Sequence, residues 1–286
     1  MLSINPNEIP TVKLHSYLLS AVAPRPIALA STMDSNGNPN LSPFSFFNVF
    51  SANPPILIFS PARRVRDNTT KHTLENAKET KEVVINIVNF DIVQQMSLSS
   101  TEYPLGVNEF DKAGFTMLKS EKVKPFRVFE SPIQLECKVN EIVELGNEGG
   151  AGNLIVCKVV KLHIKEKYLT EEGNIDQVKL DLVARAGGSV YSRAKKGFFE
   201  IPKPLTSLGI GVDEIPSEIR NSKILTGNDL GMLGNVESIP LEIDVNKFAK
   251  EHQQFIGIDT VKKHTFAKTF LESKDILSAW KVLLIN

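Results

Sequence analysis

The chain has 286 residues, 42% of them hydrophobic, and its 33 Lys plus Arg balance 33 Asp plus Glu. That length accommodates one large domain, or a medium domain with an appendage, around a sizeable core. The charge balance excludes the basic excess of a protein devoted to phosphate backbones, so nucleic acid is not an expected partner.

The amino terminus has neither a basic start nor an unbroken apolar region before a small-residue cleavage site. No apolar run approaches the roughly 20 residues that span a bilayer. A cytoplasmic location without membrane contact is therefore expected. Cys137 and Cys157 lie in apolar, strand-like runs with no CxxC and no histidine at ligand spacing, and read as two buried thiols rather than metal ligands.

In chain order, residues 12–21 read as a lead-in turn or short helix, and Pro24-Arg25-Pro26 as an extended approach. Residues 27–31 form a short apolar strand, and Asn36-Gly37 is a dipeptide suited to a two-residue hairpin turn with two positive φ angles. The returning arm, residues 41–50, interleaves Phe44, Phe46, Phe47 and Phe50 with Ser42, Ser45 and Asn48, and Ser51 follows. Such a segment suits a flat aromatic ligand with polar edges, although period-two alternation is equally that of a half-buried strand. Asn53-Pro54-Pro55 forces a turn before a strand at residues 56–60.

A basic loop with Arg63, Arg64 and Arg66 then leads into a helix expected over residues 70–80, for which Asp67, Asn68, Thr69 and Thr70 are all candidate caps. Free N–H groups at a helix start, beside these arginines and Lys71, form either a phosphate site or a solvated basic loop. A strand follows at residues 83–88. Residues 91–99 have helical spacing, and residues 108–115 read as a short helix closed by Gly114.

Two long strands, residues 133–145 and 153–168, flank a glycine-rich loop at residues 146–152. A dinucleotide fingerprint needs a helix after its glycines, and here a strand follows, so the loop reads as a flexible hairpin tip. Residues 209–214 fail the same test because Glu214 holds the third glycine position. Residues 183–193, with Gly187, Gly188 and Tyr191, read as a strand with a bulge or as a close backbone approach to a ligand. Beyond residue 204 the composition shifts. TGNDLGMLGNVESIP reads as an ordered loop, residues 239–245 as strand-like, and a mixed helix and strand region with Trp280 closes the chain. This extension has too many glycines and polar residues for a convincing core of its own.

RPIALAST at residues 25–32, the glycine-containing turn and NLSPFSFFN at residues 40–48 occur in an order that resembles the flavin-reductase-like family of FMN-binding split barrels, close to its flavoredoxin branch. The likeness runs to about residue 204. It implies a mainly β fold, a β-barrel with peripheral helices over residues 1–204. Residues 205–286 lie beyond the likeness, and because their apolar residues need something to bury against, this extension is expected to pack on the barrel and to limit which donor or acceptor reaches the flavin. The likeness also implies bound FMN, NAD(P)H as co-substrate, a homodimer whose cleft both chains line, and for some members a protein redox partner.

The resemblance places the flavin ring against residues 42–51 and its phosphate near residues 63–73. The implied cofactor contacts are Ser31, Thr32, Ser45, Phe46, Phe47, Asn48, Ser51, Arg63, Arg64, Arg66, Asn68, Thr69, Lys71, Thr73 and Tyr191. The family's K-D-T-L-x-N segment touches the phosphate. Lys71-His72-Thr73-Leu74-Glu75-Asn76 matches it except at His72, so two alignments stay open: Lys71 with Thr73, or Arg66 to Thr69. Residues 109–114 resemble the family's E-F-x-x-A-G element near the flavin edge.

No catalytic side chain is expected, because hydride and electron chemistry reside in the flavin. The sequence has no nucleophile elbow and no HExxH, and its five histidines, His15, His72, His163, His252 and His264, are scattered. An NAD(P)H-dependent flavin reductase is the first expectation and an FMN electron carrier the alternative. A pyridoxamine-oxidase-like or flavin-storage barrel is a third.

Overall fold

The first apolar run forms a strand because both of its faces find cover. In the computed structural model, which describes residues 1–104, 106–202 and 208–285, helix α1 (Thr11–Ala21) leads into β1 (Ala28–Met33), buried along its whole length. Ala28 and Ala30 face one core, Ile27 and Leu29 another, as the two-residue period of a strand requires. β2 (Pro39–Phe44) returns antiparallel, with Ala28 opposite Phe44 and Met33 opposite Pro39. The hairpin is the expected one, but its turn is longer. Asp34 accepts hydrogen bonds from the N–H groups of Asn36 (3.0 Å) and Asn38 (2.8 Å), and within this loop only Gly37 has a positive φ, 89°. The aspartate side chain makes the turn, so a second left-handed residue is not needed.

The aromatic arm, expected as one extended segment, is two strands. β2 stops at Phe44, a bend occupies Ser45 and Phe46, and β3 (Phe47–Ala52) pairs instead with β4 (Pro55–Phe59). Helix α2 (His72–Thr80) begins later than its candidate caps imply. Asp67 directs its carboxylate within the loop, to Thr69 N (3.0 Å) and Thr69 Oγ1 (2.6 Å), so α2 opens at Lys71 with no side-chain cap. There follow β5 (Glu82–Ile87), α3 (Val93–Leu98), α4 (Glu109–Ala113), the short pair β6 (Met117–Leu118) and β7 (Arg127–Val128), and the long hairpin of β8 (Ile133–Glu144) and β9 (Asn153–Ile164). Helix α5 (Gln177–Leu180) and the hairpin of β10 (Val183–Arg185) and β11 (Tyr191–Arg193) come after it.

The main sheet is antiparallel, in the order β2-β1-β5-β8-β9-β4-β3. Its edge strands are nevertheless consecutive in the chain, and the three peptide units from Phe44 to Phe47 span at most about 11 Å. The sheet must therefore curl until its edges come near each other. Among the described residues no β2–β3 ladder closes it, so the expected barrel is a curled, open one. One core gathers Phe44, Phe59, Val83, Ile85, Cys137, Ile155 and Cys157 around Leu74 and Ala77 of α2. The other packs Leu29, Leu41, Ile92, Met96 and Phe110 beneath α3 and α4. Both thiols are free and buried, and burial pushes Cys157 up to about 12 and raises Cys137 as well.

Met1–Phe199 make one compact unit and Glu200–Asn286 a second. The boundary expected at residues 204 and 205 lies outside the described residues. The second unit is helical, with α6 (Ser217–Arg220), α7 (Gly227–Gly234), α8 (Glu242–Glu251), α9 (Thr260–Glu272) and α10 (Ile276–Leu284), and no strand among its described residues. This corrects three expectations. The glycine-rich stretch is helix α7, started by a capping box in which Thr226 Oγ1 accepts from Asp229 N and Asp229 accepts from Thr226 N, a sequence signal that its glycines masked. The strand expected at residues 239–245 is largely α8. The unit also has a core of its own, in which Ile215, Ile219, Leu233, Leu271 and Ala279 surround Trp280, whose Nε1 donates to the Leu233 carbonyl at 3.0 Å. The chain as a whole is thus a large antiparallel sheet with helices, not mainly β. No helix among the described residues is long and apolar enough to cross a membrane.

Candidate functional site

Where the chain crosses from one sheet edge to the other, a cleft of about 340 Å³ opens. The Phe46 carbonyl accepts from Ser60 N at 2.8 Å, which pins the crossing to the end of β4. Its apolar wall is Leu19, Ile27, Phe44, Phe46 and Met96, and its polar edges are Ser42, Ser45, Ser60 and Ser100. His15 of α1 meets the Phe46 ring edge-on, with centroids 6.4 Å apart. Lys71 closes one end, and Arg185 and Tyr191 of the β10–β11 hairpin also line the cleft.

Arg25 ties these parts together. Its backbone pairs with Arg185 in both directions at 2.8 Å, while its guanidinium donates to the carbonyls of Leu19, Val22 and Ala186. The first two lie at the C-terminal end of α1, where a helix concentrates negative partial charge. Burial, and then the neighbouring Arg185 charge, lower the Arg25 pKa. Arg25 Nε is buried and has no partner among the described residues.

The cationic end is built by the loop before α2. Arg63 Nε donates to Asn68 Oδ1 (2.6 Å) and Arg63 Nη2 to the Asn68 carbonyl (2.8 Å). Arg64 Nη1 donates to Thr69 Oγ1 (2.8 Å) and the Thr70 carbonyl (2.6 Å). Arg64 Nε, Arg66 Nη2 and Lys71 Nζ converge on the carboxylate of Glu102. The hydrogen bond from Arg64, with those other cations, outweighs desolvation and holds Glu102 down to about 2.

The glycine-rich tip, expected to be flexible, is packed against this loop. Arg63 N donates to Ala151 O (2.8 Å), Gly150 N to Arg63 O (3.0 Å) and Asn68 Nδ2 to Asn147 O (2.9 Å).

Of the cofactor contacts implied by the sequence, Ser45, Phe46, Lys71 and Tyr191 line the cleft. Arg63, Arg64 and Arg66 line an adjoining groove that shares Lys71 and His15 with it. Thr73 reaches a narrow side pocket with Arg64 and Lys71, but it is buried and its hydroxyl donates to Asn40 Oδ1 at 2.9 Å. Asn68 and Thr69 face the loop's own arginines.

The remaining contacts lie elsewhere. Ser31 and Thr32 are buried in β1, where Thr32 bonds to Asn40 and Asn76, and Ser31 Oγ has no partner among the described residues. Phe47 packs on the sheet core, Asn48 accepts from its neighbour Val49 N, and Ser51 follows the bulge in β3. The sequence reading missed His15, Leu19, Met96, Ser100, Glu102 and Arg185. Arg25 carried a signal, an arginine held between two prolines, whereas Ser100 and Glu102 sit in a patternless loop and carried none. Among the described residues no three His, Cys, Asp or Glu side chains are grouped to hold a metal ion.

The family model for the flavin reductase like domain matches residues 20–179. An uncharacterised protein of Aquifex aeolicus is 36% identical over 181 residues, 63% of this chain and 90% of that protein. Among solved structures, nitrilotriacetate monooxygenase component B from Bacillus cereus superposes with a TM-score of 0.65 at 30% identity, over 71% of this chain and 98% of its own. Flavoredoxin of Desulfovibrio vulgaris (Miyazaki F) has a TM-score of 0.54 at 21% identity, over 65% and 93%, a likeness of fold alone. The chain belongs to the flavin reductase like domain family.

Proposed function

We propose that this protein is an FMN-binding oxidoreductase, an NAD(P)H-dependent flavin reductase whose flavin lies in the cleft at the β2–β3 crossing. The observation that carries this reading is the cleft's two-ended chemistry. Its apolar wall with serine edges suits a flat heteroaromatic ring, and it runs into Lys71 and the Arg63–Arg66 groove, which suit a phosphate. Its volume lies within the range of small-molecule sites, and Arg25 is among the residues that line it.

Bound FMN would supply the hydride and electron chemistry. The chain's own residues would then bind, orient and exclude water. Phe46, Ile27 and Met96 would flank the ring, Ser45 and Ser60 would meet its polar edge, and Tyr191 would bound it. Arg64 and Lys71 would hold the phosphate, beside the uncapped start of α2. Of the two alignments, this favours Lys71, since Asn68 and Thr69 are engaged inside the loop and Thr73 is bonded to Asn40.

We also read the working form as a homodimer. α1 is a helix with no buried side chain, exposing Val12 and Leu18, Val22 just beyond its end is exposed as well, and edge strand β3 exposes Val49 and Phe50. Unpartnered apolar surface of this kind is what a self-complementary interface covers. Residues 205–286 are read as the element that limits which donor or acceptor reaches the flavin. The second reading, an electron carrier with permanently held FMN and a protein partner, draws on that same exposed rim, which a partner protein would cover as well as a second copy.

The decisive assay is oxidation of NADH and NADPH by the purified protein with FMN in excess. Catalytic turnover that rises with added FMN supports the reductase. One-time reduction of tightly held FMN without turnover supports the carrier, and absence of any flavin binding overturns both.

A further inference from the structure

We infer that Glu102 is a built-in competitor for the phosphate end of this site, an internal carboxylate that weakens FMN binding and leaves uncharged riboflavin unaffected. The inference rests on the FMN reading above. Glu102 Oε1 lies 2.9 Å from Arg64 Nε and 3.4 Å from Lys71 Nζ, while Oε2 accepts from Arg66. One carboxylate thus engages three of the cations that a phosphate would use. An arriving phosphate carries about −1.5 to −2 charge and must displace this anion or share its partners.

Glu102 could instead be a brace that holds the cations in place. The hydrogen bonds argue against that role. Arg64 is fixed independently by Thr69 Oγ1 and the Thr70 carbonyl, and the loop itself by Arg63 N to Ala151 O and Gly150 N to Arg63 O. Asp67, the other acid of the loop, already accepts from Thr69 and Arg66. Glu102 comes from a separate segment after α3 and its side chain is 36% exposed, so it can swing into water without loosening the arginines. Its carboxyl stays ionised down to about pH 2, so another anion, not a proton, must release it. Removing its charge raises the net charge of Arg63, Arg64, Arg66, Lys71, Asp67 and residue 102 by one.

The test is titration of the full-length protein with FMN and with riboflavin, followed by flavin fluorescence, for the wild type, Glu102→Gln and Glu102→Asp. The proposal expects Glu102→Gln to bind FMN about tenfold more tightly, equivalent to ~1.4 kcal/mol, with a steeper loss of affinity on adding salt and with riboflavin unchanged. Glu102→Asp keeps the charge but draws the carboxylate back by one methylene, so its FMN affinity should fall between those of the wild type and Glu102→Gln. If the wild type prefers FMN to riboflavin while Glu102→Gln binds FMN no better or worse, the competitor role is wrong and the phosphate reading survives. If all three forms bind the two flavins equally, the phosphate reading falls and the proposal with it.

Discussion

Gly149 approaches Val65 so closely that a Cβ added to the glycine would lie 3.0 Å from the Val65 carbonyl oxygen, and 3.1 Å from that of Arg64. The obstacles are backbone atoms, which cannot rotate aside as a side chain can, so an alanine at 149 requires the arginine loop to give by a few tenths of an ångström. Gly149→Ala should shift the loop and weaken FMN by up to about tenfold, ~1.4 kcal/mol, with a smaller change for riboflavin. Equal affinities in wild type and variant would show that the tip does not position the loop.

Reversing the charges of Arg64 and Lys71 together should weaken FMN by more than about a hundredfold, since each charge-assisted hydrogen bond contributes roughly 1.5–3 kcal/mol. Riboflavin should be little affected. The paired change Arg66→Glu with Thr69→Ala serves as the contrast and should cost FMN less. Isothermal titration with both ligands decides, and the reverse ranking would favour the upstream alignment.

Glu136 is a fully buried carboxylate whose desolvation alone would raise its pKa. Hydrogen bonds from Glu121 N (2.9 Å) and Lys122 N, with His163 Nε2 at 2.7 Å, outweigh burial and lower it. A depressed carboxylate stabilises the fold above its unfolded pKa, and that contribution is lost as pH falls through the folded value. Glu136→Gln should therefore destabilise the first unit by about 2–3 kcal/mol near pH 7, and the difference should shrink below about pH 4. Urea melts at the two pH values measure it, and a constant difference would contradict the assignment.

Cys137 and Cys157 are both buried among apolar side chains, and their raised pKa values keep them as thiols. Thiolate-directed reagents need the ionised form. Neither cysteine should react with a disulfide reagent in the folded protein at neutral pH, and both should react in denaturant. Fast labelling of the native protein would mean that the sheet core opens readily.

The single tryptophan, Trp280, lies in the second unit, fully buried. Its fluorescence therefore reports that unit alone. Trp280→Phe, which keeps an aromatic ring but leaves the Leu233 carbonyl without its donor, should cost about 1–3 kcal/mol and lower only the second unit's transition. A chain ending at residue 204 should still fold, because the cores of the first unit are complete within Met1–Phe199. It should bind FMN within about tenfold of the full chain while changing turnover among donors much more. Unchanged turnover for every donor would remove the proposed selective role of residues 205–286.

The sequence by itself determined the elements whose signal is local. The short apolar run of β1, the β-rich runs of β8 and β9, the short helix closed by Gly114 and the basic loop before α2 could all be read from neighbouring residues. So could the family, because RPIALAST and NLSPFSFFN are contiguous words. The phenylalanine arm showed where a ligand could lie but not that the chain bends at Ser45 and Phe46, since a bend between two strands depends on which distant strands they pair with.

Tertiary structure alone decided which of the implied contacts share one cleft. Ser31 and Thr32 belong to the other arm of the same hairpin, yet β1 is covered on both faces and buries them. Arg25, Met96, Glu102 and Arg185 come together because the curled sheet brings its two edges, the end of α1 and the β10–β11 hairpin to one place. The second unit was misread for a related reason. The glycines of α7 lower its local helix propensity by about 1 kcal/mol each, and packing of Leu233 against Trp280 overrides that deficit through a contact with a partner 47 residues away.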